Sequence, residues 1–247
     1  MTRYAHTDEF AGGEFIRSTF AGATFRFCDL SGVTVSESNL DGLSLDSHDL
    51  FFGSLYVNGV DVVPLVKAEL NRQFPGRELQ EATTPEGLRD GWAAVQAAWR
   101  TTVAGTPAEL RESRVDGEWS LSQTLRHLVL ATDTWLLGAI QGQDDPFHEI
   151  GKFFSGAADA GIVPERMREP RDFEEVLAVR AERQQLVSDF LSSVTQEQLE
   201  ESRTDPWDPE GDWRPTVGDC LRTILEEEWA HLRYIRRDLA TLSHAPA

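Results

Sequence analysis

The first sixty residues repeat with a period of five, and this period constrains the fold more than any other feature of the chain. From residue 10 to residue 60, every fifth position holds a large apolar side chain. An α-helix has 3.6 residues per turn and a strand has a period of two, so neither puts these positions on one face. A coil in which each side is one five-residue unit would stack these apolar side chains in a column. We call the following residues the apolar column: Phe10, Phe15, Phe20, Phe25, Leu30, Val35, Leu40, Leu45, Leu50, Leu55 and Val60.

Small residues often precede the apolar column by two positions, as at Gly13, Ser18 and Ala23, and a narrow coil requires them. This pattern resembles the pentapeptide-repeat family, whose members form a right-handed, four-sided β-helix. The resemblance covers residues 8–61 and implies a short solenoid of somewhat under three coils. Because a short stack exposes its apolar ends, we expect residues 62–83 to form a cap and linker.

The charge of the chain argues against two classes of partner. Aspartate and glutamate total 42 against 23 lysine and arginine residues, which gives a formal net charge of −19. Such a field repels phosphate backbones and anionic lipid, so we expect neither nucleic-acid nor membrane binding. The sequence shows no apolar run of membrane-spanning length and no signal-peptide core. With only Cys28 and Cys220, a disulfide framework is not expected, and the prediction is a cytoplasmic protein.

From residue 84 the pattern changes to helical spacing. Four amphipathic segments, at 85–103, 120–140, 173–194 and 216–242, predict an all-α four-helix bundle over residues 84–242. Ser120 is a suitable N-cap for the second helix. Thr216 and Asp219 resemble a capping box at the start of the fourth helix, with aspartate in place of glutamate.

Two histidines fall inside these predicted helices and are candidate metal ligands. His127 has the small neighbours Thr124, Ala131 and Thr134, which leave room beside its imidazole. On the fourth helix, Glu227 and His231 are spaced i, i+4, so both can reach one cation. On a helical wheel, Glu228 points more directly than Glu227 toward the apolar face of the fourth helix. Periodicity therefore does not decide which of the two glutamates is the ligand.

The segments GEWSLSQTLRHLVLATDTWL and EEEWAHLRYIRRDL resemble the DinB-like (YfiT-like) superfamily of metal-binding four-helix proteins. The resemblance implies a divalent metal, zinc or nickel, held by one ligand of the second helix and two of the fourth. Carried over, these roles fall on His127, Glu227 and His231. Glu227 stands where many members have histidine. Glu228 is either an alternative ligand or a carboxylate that accepts a hydrogen bond from one of the ligands. Trp119, Tyr234 and His148 are further candidates for the surrounding pocket.

The resemblance implies two kinds of function. Some relatives are transferases or isomerases that use a low-molecular-weight thiol, such as mycothiol or bacillithiol, as cosubstrate against a small electrophile. The alternative is a non-enzymatic, stress-associated scaffold with a structural metal, in which the solenoid docks a protein partner. A third hypothesis is an acidic DNA mimic that binds gyrase, since residues 8–61 hold nine acidic and two basic residues. The sequence determines neither the substrate nor whether the chain forms a homodimer.

Overall fold

The computed structural model describes residues 4–5, 7–26, 28–47, 53–154 and 163–244. The chain divides into two compact units, Met1–Asp46 and Ser47–Ala247. One member of the apolar column, Leu50, lies outside the described residues.

The N-terminal unit is a succession of tight turns. Hydrogen bonds from residue i+3 to the carbonyl of residue i close turns at ten-residue intervals, for example Gly13 N to Phe10 O at 3.0 Å and Leu43 N to Leu40 O at 3.0 Å. A glycine with φ between 68° and 75° occupies the third position of each turn, a conformation in which a Cβ atom is unfavourable. These glycines are Gly12, Gly22, Gly32 and Gly42.

The apolar column of this unit stays partly open to solvent. Phe10 is 42% exposed and Leu45 is 59% exposed. Consecutive aromatic rings touch, with the Phe15 and Phe20 centroids 5.2 Å apart. A closed solenoid would bury the column, and no strand occurs within the described part of residues 4–47. The prediction of a pentapeptide-repeat β-helix is therefore not confirmed.

A hairpin and a helix begin the second unit. Strands β1 (Tyr56–Val57) and β2 (Val60–Asp61) pair antiparallel around an Asn58-Gly59 turn with two positive φ angles, as an Asn-Gly hairpin favours. Helix α1 (Val63–Gln73) follows, and then a 3₁₀ turn at Arg77–Glu81. Between them lies Gly76, with φ at 91°. A Cβ atom there would lie 2.6 Å from the Ala94 Cβ atom, so this junction requires glycine.

Four long helices form the body of the second unit, close to the predicted bounds. They are α2 (Pro85–Gly105), α3 (Leu121–Thr132), α4 (Phe173–Ser193) and α6 (Val217–His244), with the short α5 (Gln196–Leu199) before the last. Helix α3 continues as a π-helical segment over Asp133–Ile140. The packing is cyclic, because α2 contacts α6 and α4 while α3 contacts the same two helices. This is the arrangement of a four-helix bundle.

Side-chain caps fix where these helices begin. Ser120 accepts from the Gln123 amide and Gln123 returns a bond to Ser120, which confirms Ser120 as the N-cap of α3. Asp219 and Thr216 exchange the corresponding bonds at 2.8 and 3.1 Å before α6. These caps fix the residues at which α3 and α6 begin. Among the helices of the described residues, none is long and apolar enough to cross a membrane.

Candidate metal centre

His127 on α3 presents one ring nitrogen toward α6. Its Nδ1 atom lies 2.9 Å from the Lys152 carbonyl oxygen. Because a carbonyl only accepts, Nδ1 carries the proton in this bond, and in the neutral ring Nε2 has the lone pair that a metal needs. The Nε2 atom lies 3.5 Å from Oε2 of Glu227. A backbone carbonyl that fixes the tautomer in this way is a usual support for a metal-binding imidazole.

Glu227 and His231 face His127 from one side of α6. The Nδ1 atom of His231 lies 3.1 Å from the Glu227 carbonyl oxygen and 3.4 Å from its carboxylate Oε2. The two imidazole rings are stacked, with centroids 4.7 Å apart and an interplanar angle of 22°. The i, i+4 spacing on α6 and the packing of α3 against α6 thus bring three potential ligands together.

The ligand atoms of His127, Glu227 and His231 all lie within 4.8 Å of one another. The two histidine side chains are 11% and 15% exposed, and that of Glu227 is 28% exposed. Two imidazole nitrogens and one carboxylate oxygen suit zinc or nickel, and a three-ligand set leaves coordination positions for water or substrate. By donor chemistry and spacing, the residues fit a divalent ion.

Aromatic side chains border this cluster. The Trp119 ring centroid lies 4.7 Å from that of His127 and 5.9 Å from that of His231. Tyr234 packs edge-on against His231 at 5.7 Å, and the Arg233 guanidinium lies 4.4 Å from the Tyr234 centroid. Two of the predicted pocket residues, Trp119 and Tyr234, therefore touch the candidate ligands.

Glu228 lies in the bundle core instead of the cluster. It is 1% exposed and pairs with Arg180 of α4, which is 2% exposed. Burial raises the pKa of the Glu228 carboxyl, and the Arg180 charge opposes that shift. The structure thus groups Glu227 with the histidines and gives Glu228 a cationic partner of its own.

His148 lies in a separate polar contact. Its backbone N–H donates to Oδ2 of Asp133 at 2.7 Å, and its Nδ1 accepts from the Ile150 amide at 3.3 Å. Asp133 is fully buried and also binds Arg183 of α4. Burial lowers the pKa of the His148 imidazole. These bonds tie the loop after the π-helical segment to the bundle, outside the three-residue cluster.

Sequence reasoning missed the segment that supports His127. The Lys152 amide donates to the Arg126 carbonyl at 3.2 Å, while Nε of Arg126 donates to the Ile150 carbonyl at 2.8 Å. Residues 150–152 are thereby fixed along α3. Residues 150 and 152 make these contacts through backbone atoms, so the side-chain pattern of that segment gave no signal for them.

The chain belongs to the DinB superfamily, whose family model matches residues 87–235. The match covers α3 and α4 and most of α2 and α6, and it includes His127, Glu227 and His231. Comparisons with curated proteins and with solved structures found no match. The likeness to the DinB superfamily that the sequence indicates is confirmed.

Proposed function

We propose that the second unit binds one divalent metal ion, zinc or nickel, through His127, Glu227 and His231. The observation that carries this proposal is the convergence of their ligand atoms within 4.8 Å. Membership of the DinB superfamily is consistent with it. The supporting bond from His127 Nδ1 to the Lys152 carbonyl favours it further, because it orients the ring toward Glu227.

Metal content tests this proposal directly. Purified protein should hold near one equivalent of metal, and His231→Ala and Glu227→Ala should each lose it. Glu226→Ala is the matched control, since it removes a carboxylate from the adjacent position of the same helix. Wild-type protein that stays metal-free after incubation with zinc, nickel and manganese would refute the site.

The activity that we propose is transfer of a low-molecular-weight thiol to a small electrophile, or an isomerisation that uses such a thiol. A bound divalent ion would supply the Lewis acidity that lowers the pKa of a coordinated thiol. The residues of the chain contribute position and shielding. Trp119 covers one side of the imidazole pair and Tyr234 contacts His231, so they limit the water around a reacting sulfur.

Thiol consumption measures that activity. Metal-loaded protein is mixed with mycothiol or bacillithiol and a panel of electrophiles, and loss of free thiol is followed with time. We expect metal-dependent consumption that falls in Glu227→Ala. Equal rates with and without metal for every electrophile would count against a thiol-dependent enzyme.

A second candidate function is a scaffold with a structural metal. The half-exposed apolar column favours it, because contiguous exposed apolar surface marks interaction sites. If the metal is structural, its removal should lower the melting temperature and the protein should consume no thiol.

The scaffold function includes the proposal that residues 8–61 form a pentapeptide-repeat solenoid. Amide hydrogen exchange of the full chain tests it, because a closed solenoid protects amides throughout residues 8–61 and an open chain does not.

A further inference from the structure

Lys152 is held beside the candidate metal centre by its backbone. Its carbonyl accepts from Nδ1 of His127 at 2.9 Å, and its amide donates to the Arg126 carbonyl at 3.2 Å. The position of this residue is therefore fixed relative to a candidate ligand. The sequence contains only two lysines, Lys67 and Lys152, against 21 arginines.

The Lys152 ammonium reaches the aromatic border of the site. Its Nζ atom lies 5.7 Å from the Trp119 ring centroid. Since Trp119 is 4.7 Å from the His127 ring, the two separations place the ammonium within about 10.4 Å of that imidazole. A small molecule bound at the cluster can span this distance.

The described residues provide the Lys152 ammonium with no ion-pair partner. Lys67 pairs with Glu81, whereas no ion pair or hydrogen bond of the Lys152 ammonium is found among the described residues. Glu169 attracts it electrostatically, but the Glu169 carboxylate is already bound to Arg126.

Lys152 is half-buried, and the charged groups that act on its ammonium are the Arg126 and Arg114 guanidinium groups and the Glu169 carboxylate. Burying a cation among other cations costs free energy unless an anion joins them. In a chain with 42 acidic residues, this local excess of positive charge indicates a site for an external anion. The Trp119 face offsets only part of the cost, because a cation–π contact at an exposed site contributes about 0.5–1 kcal/mol.

We propose that Lys152 binds the anionic group of a small molecule, such as a carboxylate, whose other end reaches the His127, Glu227 and His231 cluster. This inference rests on the proposed metal site and specifies its substrate class. The anion pairs with the ammonium, Trp119 packs beside the connecting atoms, and the neighbouring guanidinium groups add a favourable field. Lys152 is a specificity residue in this account.

The test compares two probes that differ in charge and by one methyl group: 3-mercaptopropionate and its neutral methyl ester. Calorimetric titration of zinc-loaded protein gives both dissociation constants. We expect wild type to bind the acid about tenfold more tightly than the ester, because a charge-assisted hydrogen bond contributes at least that factor. Lys152→Met should abolish the preference and Lys152→Arg should retain most of it. Lys67→Met, which removes the other lysine, should behave as wild type.

Zinc content of every sample is measured first, which separates this inference from the metal proposal. Wild type without zinc would overturn both. Zinc-loaded wild type that binds acid and ester equally would overturn the anion site alone, as would a preference that persists in Lys152→Met with its zinc content intact.

Discussion

The buried pair of Arg180 and Glu228 yields a quantitative prediction. Their side chains are 3% and 1% exposed. Replacing Arg180 with methionine keeps the apolar volume but leaves the Glu228 carboxylate buried without a cation. Breaking a buried pair in this way costs about 3–5 kcal/mol. For a unit of this size, 1 kcal/mol corresponds to about 2–4 °C in Tm, so Arg180→Met should lower Tm by about 6–20 °C.

Urea unfolding of wild type, Arg180→Met, Glu228→Met and the double variant tests this magnitude. The Arg180 Nε and Nη1 atoms and the Glu228 Oε2 atom have no hydrogen-bond partner among the described residues, so the pair is incompletely satisfied. The double variant should therefore recover most of the loss, since it removes both charges. A loss under 1 kcal/mol in Arg180→Met, or simple addition of the two single effects, would refute the reasoning.

The pH dependence of the Arg180→Met loss follows from the pKa of Glu228. Burial raises that pKa in the folded protein above its value in the unfolded chain. A raised carboxyl pKa means that the folded state binds the proton more tightly, so its contribution to stability is present at low pH and is lost as pH rises through the folded pKa. Because the Arg180 charge opposes that shift, its removal raises the folded-state pKa of Glu228 further, and the variant binds the proton more tightly than wild type. The deficit of Arg180→Met relative to wild type should therefore be smaller at pH 5 than at pH 8. A deficit that does not change with pH would contradict the assignment.

Two further predictions concern the thiols and a turn. Burial raises the pKa of the Cys220 thiol to about 12, whereas Cys28 is exposed. A thiol reagent at pH 8 should therefore titrate one cysteine in folded protein and two in denaturant. Two fast-reacting thiols before denaturation would contradict this. Gly76→Ala should lower the free energy of unfolding by about 1–3 kcal/mol, because φ is positive and the added Cβ atom meets Ala94. The control is Gly105→Ala, which has open space around the added Cβ atom. Equal effects of the two substitutions on the free energy of unfolding would refute the argument.

Helical periodicity and caps predicted the bundle well. The segments 85–103 and 173–194 correspond to α2 and α4 within about two residues at each end. Ser120 and Thr216 begin α3 and α6 as the capping patterns indicate. These signals are local, so the sequence carries them without knowledge of the packing.

Features that depend on packing were out of reach. The helical wheel placed Glu228 on the apolar face of its helix but could not identify its partner Arg180, which lies 48 residues earlier on α4. The π-helical continuation of α3 begins at Asp133, which contacts Arg183 and the loop at His148, and helical periodicity reveals neither the π-helical segment nor these contacts. The period of five predicts a closed solenoid, whereas most of the described column residues remain about half exposed.

Anomalous diffraction from crystals of zinc-loaded protein, recorded on both sides of the zinc edge, tests the central claim most directly. We predict one strong peak about 2.0–2.2 Å from a nitrogen of His127, a nitrogen of His231 and a carboxylate oxygen of Glu227. A peak at Glu228 or His148, or zinc-loaded crystals with no peak between α3 and α6, would contradict it.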